Sequence, residues 1–292
     1  MVLAAMRLAA AAPTTNNLTL WLDAADNSTL TTNGAAVSAW ANKAPLTQQN
    51  GVASVTQATS GQRPVVAAGD AQIFGRQVVQ YDGIDDSLQS ALFTTALSQA
   101  QVFAVWRSFN NGGSGTDSNA SILFDGAEST GRYFAGYETA SGGSQPRIEM
   151  GVSSVAPQWT MGSGTTGTVT TLGTTFTFPS SGTGDTIRSD YDTVTSTIQP
   201  TFSLKATGNS GSGLWKGITV GSRFQPNSGD WLSLNGYVGE ILVYSVPLTG
   251  TDLTDTETYL YNKWFTPNVV PEPASLALLG LGGLMLLKWR RV

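Results

Sequence analysis

Short apolar segments, several of which alternate with polar residues, recur from residue 16 to about residue 266, and clusters of Gly, Ser, Asn and Thr separate them. Because successive side chains of a strand point to opposite faces, this alternation predicts β strands with one buried face. Many short strands with turn residues between them favour an all-β fold, either a sandwich or a jelly roll. The predicted strands are 18–22, 76–81, 101–107, 121–124, 132–137, 147–152, 174–178, 201–205, 217–221 and 237–244.

Two of these segments also predict which side chains share a face. Phe176 and Phe178 alternate with threonines, so the two rings are expected on one face of their strand. In the last strand, one face is predicted to carry Val238, Glu240, Leu242 and Tyr244. The Thr-, Ser- and Gly-rich segment 163–201 alternates only weakly, so we interpret it as exposed hairpins with poorly specified register.

A helical pattern follows the last predicted strand. Thr249-x-x-Asp252 approximates a capping box, which marks the start of a helix. The apolar residues that follow recur at helical spacing and share one face; they are Leu253, Leu260, Tyr261 and Trp264. The pattern ends before Pro267, as expected for a helix terminus. We therefore predict one helix whose apolar stripe covers the β domain.

The C-terminal segment combines three features in a fixed order. Pro271, Glu272 and Pro273 come first, and two prolines in three residues exclude a helix there. Residues 274–287 then form an uncharged apolar run, whose helix would be about 21 Å long and shorter than a hydrocarbon core of about 30 Å. A basic cluster of Lys288, Arg290 and Arg291 follows, and such a cluster stays on the cytoplasmic side of a membrane. The pattern predicts a marginal membrane anchor rather than a buried core helix.

This tripartite segment resembles the PEP-CTERM sorting signal of Gram-negative bacteria. The resemblance implies recognition by an exosortase, an inner-membrane protease-like enzyme, while the tail is transiently in the membrane. The tail is then expected to be removed and the body delivered to the cell surface or the exopolysaccharide matrix. Carriers of this signal normally also have an N-terminal secretion signal.

Residues 1–13 are Ala-rich, and Ala10, Ala11 and Ala12 offer a small-residue cleavage site. However, no charge precedes Arg7, and the apolar stretch is shorter than in an ordinary signal peptide. Two interpretations stay open, a weak signal or a true start upstream of Met1, and we favour the second. The expected organisation is a signal segment over 1–13, one domain over 14–266, and a linker with the sorting tail over 267–292.

Composition excludes several classes of function. The 292 residues include no Cys and no His, so disulfides, thiol nucleophiles, Ser-His-Asp hydrolysis and His- or Cys-ligated metals are absent. Only 12% of the residues are charged, and the net charge is −5. Because a nucleic-acid-binding protein needs a basic face, this balance opposes a nucleic-acid partner.

Five segments resemble bacterial laminin-G-like domains of the concanavalin A-like lectin/glucanase superfamily. They are residues 20–24 (LWLDA), 40–43 (WANK), 62–64 (QRP), 81–86 (YDGIDD) and 236–244 (GYVGEILVY). The resemblance implies an antiparallel jelly-roll sandwich across the body, with one C-terminal helix packed on it. It does not imply a function, because one fold hosts many functions.

The carboxylates do not follow the pattern of the glucanase relatives. Those enzymes place Glu-x-Asp-x-Glu on one strand, which brings a nucleophile and an acid to about 5–5.5 Å from each other. None of the six glutamates here has that spacing. The sequence therefore opposes an enzyme of this type and requires no cofactor.

Two groups of residues remain as candidate binding sites. Asp82, Asp85 and Asp86 offer hard oxygen ligands for calcium, which many laminin-G-like domains bind, but the Asp-Gly step also suits a tight turn, which we favour. Trp159 and Trp231 lie in polar, Gly- or Pro-containing segments and could stack on sugar rings, although packing in the core is the more common role of tryptophan.

Three functions stay open at this stage. The leading hypothesis is a non-enzymatic, exported surface or matrix protein that binds a polysaccharide or a matrix protein. The second is a purely structural surface module without a specific ligand. The third, which has least support, is a glycoside hydrolase with an unrecognised carboxylate pair.

Overall fold

The computed structural model describes residues 12–109, 120–128, 133–139, 146–152, 155–160, 171–224 and 232–267. These residues form seventeen strands, three short 3-10 helices and one α helix, and all strand pairs are antiparallel. The prediction of an all-β antiparallel fold with one C-terminal helix is therefore confirmed. The strands are β1 (Leu18–Asp23), β2 (Leu30–Asn33), β3 (Ala36–Ala41), β4 (Ser54–Thr56), β5 (Val65–Ala68), β6 (Gln77–Asp82), β7 (Leu88–Ser90), β8 (Ala100–Ser108), β9 (Ala120–Gly126), β10 (Phe134–Thr139), β11 (Pro146–Gly151), β12 (Val155–Thr160), β13 (Leu172–Phe178), β14 (Asp185–Asp192), β15 (Thr197–Gly208), β16 (Ile218–Val220) and β17 (Asn235–Tyr244), and the helix is α1 (Gly250–Trp264).

The strands form two layers that face each other. In the first sheet, β5, β6, β17, β8, β13, β14 and β15 are neighbours in that order, and β1 pairs with the second half of β17 beside β6. In the second sheet the order is β2, β3, β4, β7, β16, β9, β10, β11 and β12. A single pair between Ala36 of β3 and Val65 of β5 joins the two sheets.

Helix α1 adds a third layer on the outer face of the first sheet. In β8, Val102, Ala104 and Trp106 belong to the core between the sheets. The alternate residues Phe103 and Val105 pack in a second core with the helix. The central strands of the first sheet are thus buried on both faces, which explains their nearly unbroken apolar sequence.

A β-bulge in β17 changes which side chains share a face of this strand. The register between β17 and β8 shifts between Val238 and Glu240. Val238 consequently lies in the core between the sheets, whereas Leu242 and Tyr244 lie in the core under α1. The prediction that Val238 shares a face with Leu242 is wrong, because a bulge inserts one residue and interrupts the strict alternation.

The interpretation of segment 163–201 as exposed hairpins is wrong for its described part, residues 171–201. Strand β13 pairs with β8 on one side and β14 on the other, in a defined register. Phe176 and Phe178 both lie in the core between the sheets, as their alternation predicted. Thr175, which precedes Phe176, is also buried, because α1 covers that face. Only the turn around Val194, which is 90% exposed, fits the interpretation.

Helix α1 follows the predicted bounds, but its start differs from a capping box. Thr249 has the extended conformation of an N-cap residue, yet its side chain makes no capping hydrogen bond. The helix is held to the first sheet by side-chain contacts. Glu257 accepts two hydrogen bonds from the guanidinium of Arg188, at 2.7 and 3.0 Å, and Leu260 and Trp264 are fully buried.

Within the described ranges, no helix combines the length and the apolar character needed to cross a bilayer. The predicted tail helix over 274–287 and the sorting residues, which are Pro271, Glu272, Pro273, Lys288, Arg290 and Arg291, lie outside the described residues.

Candidate functional site

The three aspartates proposed from the sequence surround a tight turn after β6. Asp82 Oδ1 accepts a hydrogen bond from the backbone N–H of Ile84 at 2.8 Å, and Asp86 Oδ2 accepts one from the backbone N–H of Asp82 at 3.0 Å. Gly83, between them, has φ of 79°, a conformation that favours glycine. Two of the three carboxylates thus have a role in the turn itself.

The same turn concentrates negative charge. One carboxylate oxygen from each of Asp82, Asp85 and Asp86 lies within 4.8 Å of the other two. Burial raises the pKa of Asp86 to about 6, and the charges of Asp82 and Asp85 add to this increase. Hard oxygen ligands at this spacing suit calcium, which needs six to eight oxygens in all, so backbone carbonyls and water would have to complete the shell. Both alternatives drawn from the sequence, turn and calcium site, therefore stay predictions.

The tryptophan proposed as a sugar platform is largely covered. Trp159, on β12, is only 7% exposed and belongs to the core between the sheets. The Tyr191 ring lies 6.5 Å from its ring centroid, and Lys205 Nζ lies over its ring at 5.3 Å. This burial favours the core-packing alternative, because stacking on a sugar requires an exposed ring face. Trp231, the second proposed platform, lies outside the described residues.

A polar groove opens where the two ends of the domain meet. Its volume is about 460 Å³, and it lies at the start of β1, the end of β17 and the first turn of α1. The lining side chains are Asn16, Asn17, Thr19, Gln48, Ser245 and Asp252. Gln48 Oε1 is buried beside the groove and has no hydrogen-bond partner among the residues that the structure describes.

A second groove adjoins the first along α1. It has a volume of about 430 Å³ and shares Asp252 with the first groove. Its wall continues along the helix through Asp255, Thr258, Tyr259 and Asn262. The described lining residues of the two grooves include no Lys and no Arg. We call the first one the Gln48 groove.

Sequence reasoning missed the Gln48 groove. Asn16 and Asn17 precede the first strand, Gln48 lies in the loop between β3 and β4, and Asp252 is in the helix. The pairing of β1 with β17 brings the two ends of the domain together, and a hydrogen bond from the Lys43 backbone N–H to the Trp21 carbonyl holds the loop that contains Gln48 beside β1. In the sequence, the adjacent residues Asn16 and Asn17 before a predicted strand could have pointed to this groove, but two asparagines beside a strand do not by themselves form a binding motif.

Comparison with known proteins identifies the C-terminal segment. Residues 269–292 match the family model described as the PEP-CTERM protein-sorting motif. The motif indicates export through the membrane-associated exosortase to the cell surface or the extracellular space, which confirms the predicted localisation. No curated protein matches the chain.

Among solved structures, a sialidase from Trypanosoma rangeli, in complex with sialic acid, is 12% identical, with a TM-score of 0.48 over 89% of this chain and 35% of the sialidase. A SAP-like pentraxin from Limulus polyphemus is 14% identical, with a TM-score of 0.36 over 57% of this chain and 70% of the pentraxin. The CBM40 of a Ruminococcus gnavus IT-sialidase, bound to alpha2,6 sialyllactose, is 13% identical, with a TM-score of 0.36 over 56% of this chain and 84% of the CBM40.

The chain spans about a third of the length of the sialidases that it matches. With identities this low and TM-scores below 0.5, these likenesses carry no conclusion about activity or ligand. The resemblance to laminin-G-like domains and the expectation that the protein is not an enzyme both stay predictions.

Proposed function

We propose that this protein is an exosortase-sorted surface or matrix protein whose laminin-G-like jelly roll binds a neutral glycan in the Gln48 groove. The observation that carries the proposal is the lining of this groove. Six polar side chains from three distant segments converge there, and one of them, Gln48, has a buried acceptor without a partner in the described part of the chain.

The chemistry of the lining matches sugar hydroxyls. A hydroxyl both donates and accepts hydrogen bonds, and the amides of Asn16, Asn17 and Gln48 also offer both functions. Asp252 adds a charged acceptor, which makes stronger hydrogen bonds than a neutral one. Without a basic side chain in the described lining, and with a net charge of −5 over the chain, an anionic polysaccharide would be repelled.

Delivery to the cell exterior supports a glycan as the ligand class. The sorting motif over 269–292 sends the body to the surface or extracellular space, where polysaccharides are abundant. A module exposed there encounters them at high local concentration. A weak, hydrogen-bond-dominated site is then sufficient to hold the protein in a matrix.

The test is a glycan array with the purified full-length chain, followed by affinity measurements on any neutral glycan that binds. Gln48→Ala and Asn16→Ala should each weaken binding about five- to tenfold, because one hydrogen bond contributes about 1 kcal/mol. Gln199→Ala is the matched control, since Gln199 lies on β15, away from the groove, and should leave the affinity unchanged.

Each remaining outcome rejects the proposal in favour of a named alternative. A folded chain that binds nothing on the array indicates a structural module without a specific ligand. Binding that is insensitive to the groove variants but lost in Trp231→Ala moves the site to the aromatic platform. Release of reducing ends from a bound polysaccharide indicates a glycoside hydrolase.

A further inference from the structure

A group of buried charges lies between α1 and the first sheet. Asp23, at the end of β1, and Glu240, in β17, are directly opposed in the antiparallel pair. Lys263, in the last turn of α1, reaches both of them. Its Nζ lies 2.7 Å from Asp23 Oδ1 and 2.7 Å from Glu240 Oε2. We call these three residues the Lys263 cluster.

The Lys263 cluster is largely shielded from water. The side chain of Glu240 is fully buried, that of Asp23 is 5% exposed and that of Lys263 is 17% exposed. Aromatic residues enclose the Glu240 carboxylate and donate to it. Trp21 Nε1 and the Tyr259 hydroxyl each lie 2.7 Å from Oε1, and Trp264 Nε1 lies 2.5 Å from Oε2.

Burial of this kind makes charged groups costly, because charges that leave water lose their hydration. Burial raises the pKa of Glu240, and the charge of Lys263 opposes this increase only in part. Glu240 can therefore accept a proton and release it again.

We propose that Lys263 and Asp23 form an intramolecular isopeptide bond, with Glu240 transferring the proton. The geometry meets the three requirements of such a reaction: an amine beside a carboxyl group, a proton carrier that touches the amine, and a site from which water is largely excluded. Two reacting groups that are held in contact do not need a bimolecular encounter. In well-oriented cases the effective concentration of one group at the other is about 10⁵–10⁸ M.

The reaction balances without any further reactant. One proton moves from the Lys263 ammonium to Asp23 Oδ1, and the free Nζ electron pair then attacks Asp23 Cγ to give a tetrahedral intermediate. Glu240 takes a second proton from Nζ and passes it to Oδ1, which leaves as water. The C=O bond re-forms at Oδ2, so the products are one amide and one water molecule, and Glu240 returns to its initial state.

A second lysine stabilises the intermediate. Lys43 Nζ lies 2.7 Å from Asp23 Oδ2, the oxygen that carries the negative charge after attack. A fixed cation at a developing oxyanion lowers the barrier. Lys43 itself is the poorer nucleophile, because it is 25% exposed, divides its contacts between Asp23 and Asp26, and has no contact with Glu240 among its ion pairs.

The bond would join the two ends of the domain. It closes a loop that contains nearly all of the strands and fastens α1, which precedes the sorting segment, to β1. A chain without cysteine cannot make a disulfide for this purpose. A covalent link between the first strand and the helix would keep the exported domain closed when its ends are exposed to proteases.

The test is mass spectrometry of the purified full-length chain under denaturing conditions. The wild type should be lighter than its sequence by one water molecule. Trypsin, which does not cleave after an acylated lysine, should release one branched peptide that joins residues 8–43 to the segment containing Lys263. Glu240→Gln and Lys263→Arg should restore the full mass, and Asp23→Asn should lose ammonia instead of water.

The wild-type result decides the proposal even if a variant fails to fold. A wild-type mass equal to that of the sequence, without a branched peptide, overturns it and leaves a non-covalent ion cluster. A lost water that maps to Lys43, or to a site elsewhere in the chain, also overturns the assignment. Lys216→Arg serves as the matched control, since Lys216 pairs with Glu128 rather than with any residue of the Lys263 cluster, and this variant should still yield the link between Lys263 and Asp23.

Discussion

Burial changes the acid–base behaviour of Asp86, and this predicts a pH-dependent stability. Its pKa is about 6 in the folded chain, above the ordinary value of 3.8, chiefly because of desolvation and then because of the charge on Asp82. A raised carboxyl pKa means that the folded state binds the proton more tightly than the unfolded state does. The stability contributed by the protonated form is complete below about pH 3.8 and is lost as the pH rises through 6.

Asp86→Asn should therefore stabilise the protein at pH 7 by about 1–2 kcal/mol and change little at pH 4. Two pKa units correspond to about 2.7 kcal/mol, and solvent screening at the turn reduces this energy. Urea denaturation at the two pH values measures the difference. Asp192→Asn is a suitable control, because Asp192 has a lowered rather than a raised pKa owing to its hydrogen bond with the Val194 backbone. The prediction is contradicted if Asp86→Asn changes the free energy of unfolding, relative to wild type, by the same amount at both pH values.

The same turn provides the calcium test. If Asp82, Asp85 and Asp86 serve only the turn, calcium and chelator should give the same melting temperature at pH 7. Bound calcium would instead stabilise the fold, by about 2.7 kcal/mol at one hundred times Kd. A calcium-dependent rise in Tm that disappears in Asp85→Ala would establish a metal site, whereas Asp255→Ala, in the helix, should have no such effect.

Trp159 is 7% exposed and packs in the core between the sheets. Trp159→Ala should therefore destabilise the domain by about 3–5 kcal/mol, as expected for loss of a buried tryptophan. Equilibrium unfolding in urea measures this. Gln158→Ala, on the same strand but exposed, should stay within about 0.5 kcal/mol of wild type. A nearly unchanged Trp159→Ala variant would return Trp159 to the list of exposed sugar platforms.

The sequence could indicate candidate site residues that are adjacent in the chain, but not groups whose members come from distant segments. Asp82, Asp85 and Asp86 are close because they are adjacent in the chain, so a turn motif was enough to find them. Gln48 and the Lys263 cluster have no such local signal. Their partners come from β1, β17 and α1, and only tertiary pairing makes them neighbours.

At the scale of elements, a glycine controls how α1 sits on the first sheet. A methyl group at Gly239 would lie 2.8–3.1 Å from three carbons of the Trp264 ring, which is closer than packed atoms allow. Gly239→Ala should cost about 1–3 kcal/mol, the usual range for overpacking a filled core. Gly61→Ala is the control, because nothing lies within 4 Å of a methyl group there.

Denaturant unfolding of the two glycine variants, with tryptophan fluorescence as the signal, distinguishes the outcomes. If Gly239→Ala is as stable as Gly61→Ala, the contact between α1 and β17 is looser than the packing of Trp264 implies. Burial of Trp264 also depends on the bulge next to Gly239, because the shifted register turns Glu240 toward its indole N–H.

The elements themselves were largely predictable. All ten predicted strands overlap observed strands, since each was recognised from apolar residues that lie in a core. Strands such as β2 and β5 have mostly exposed or half-buried residues and lack that signal. The bulge in β17 was not predictable, because it depends on pairing with β8 rather than on local sequence.

At the scale of the whole molecule, the chain combines an acidic, cysteine-free β domain with a basic sorting tail. The two parts have separate tasks. The domain supplies the Gln48 groove and the Lys263 cluster, and the tail directs export. Because the sorting motif over 269–292 closely follows α1, the proposed link at Lys263 lies near the sorting motif in the chain.

The last prediction concerns this processing. A sorting protease binds its substrate in an extended conformation, and the sequence predicts that the prolines on both sides of Glu272, immediately before the apolar run, favour this conformation over a helix. The variant Pro271→Ala/Glu272→Ala/Pro273→Ala should therefore remain at full length in the membrane fraction of a host with exosortase. Immunoblots of membrane and medium measure this, and Pro267→Ala, just before the matched segment 269–292, should be processed normally. Release of a product of wild-type size from the triple variant would show that recognition depends on the apolar run and the basic cluster instead.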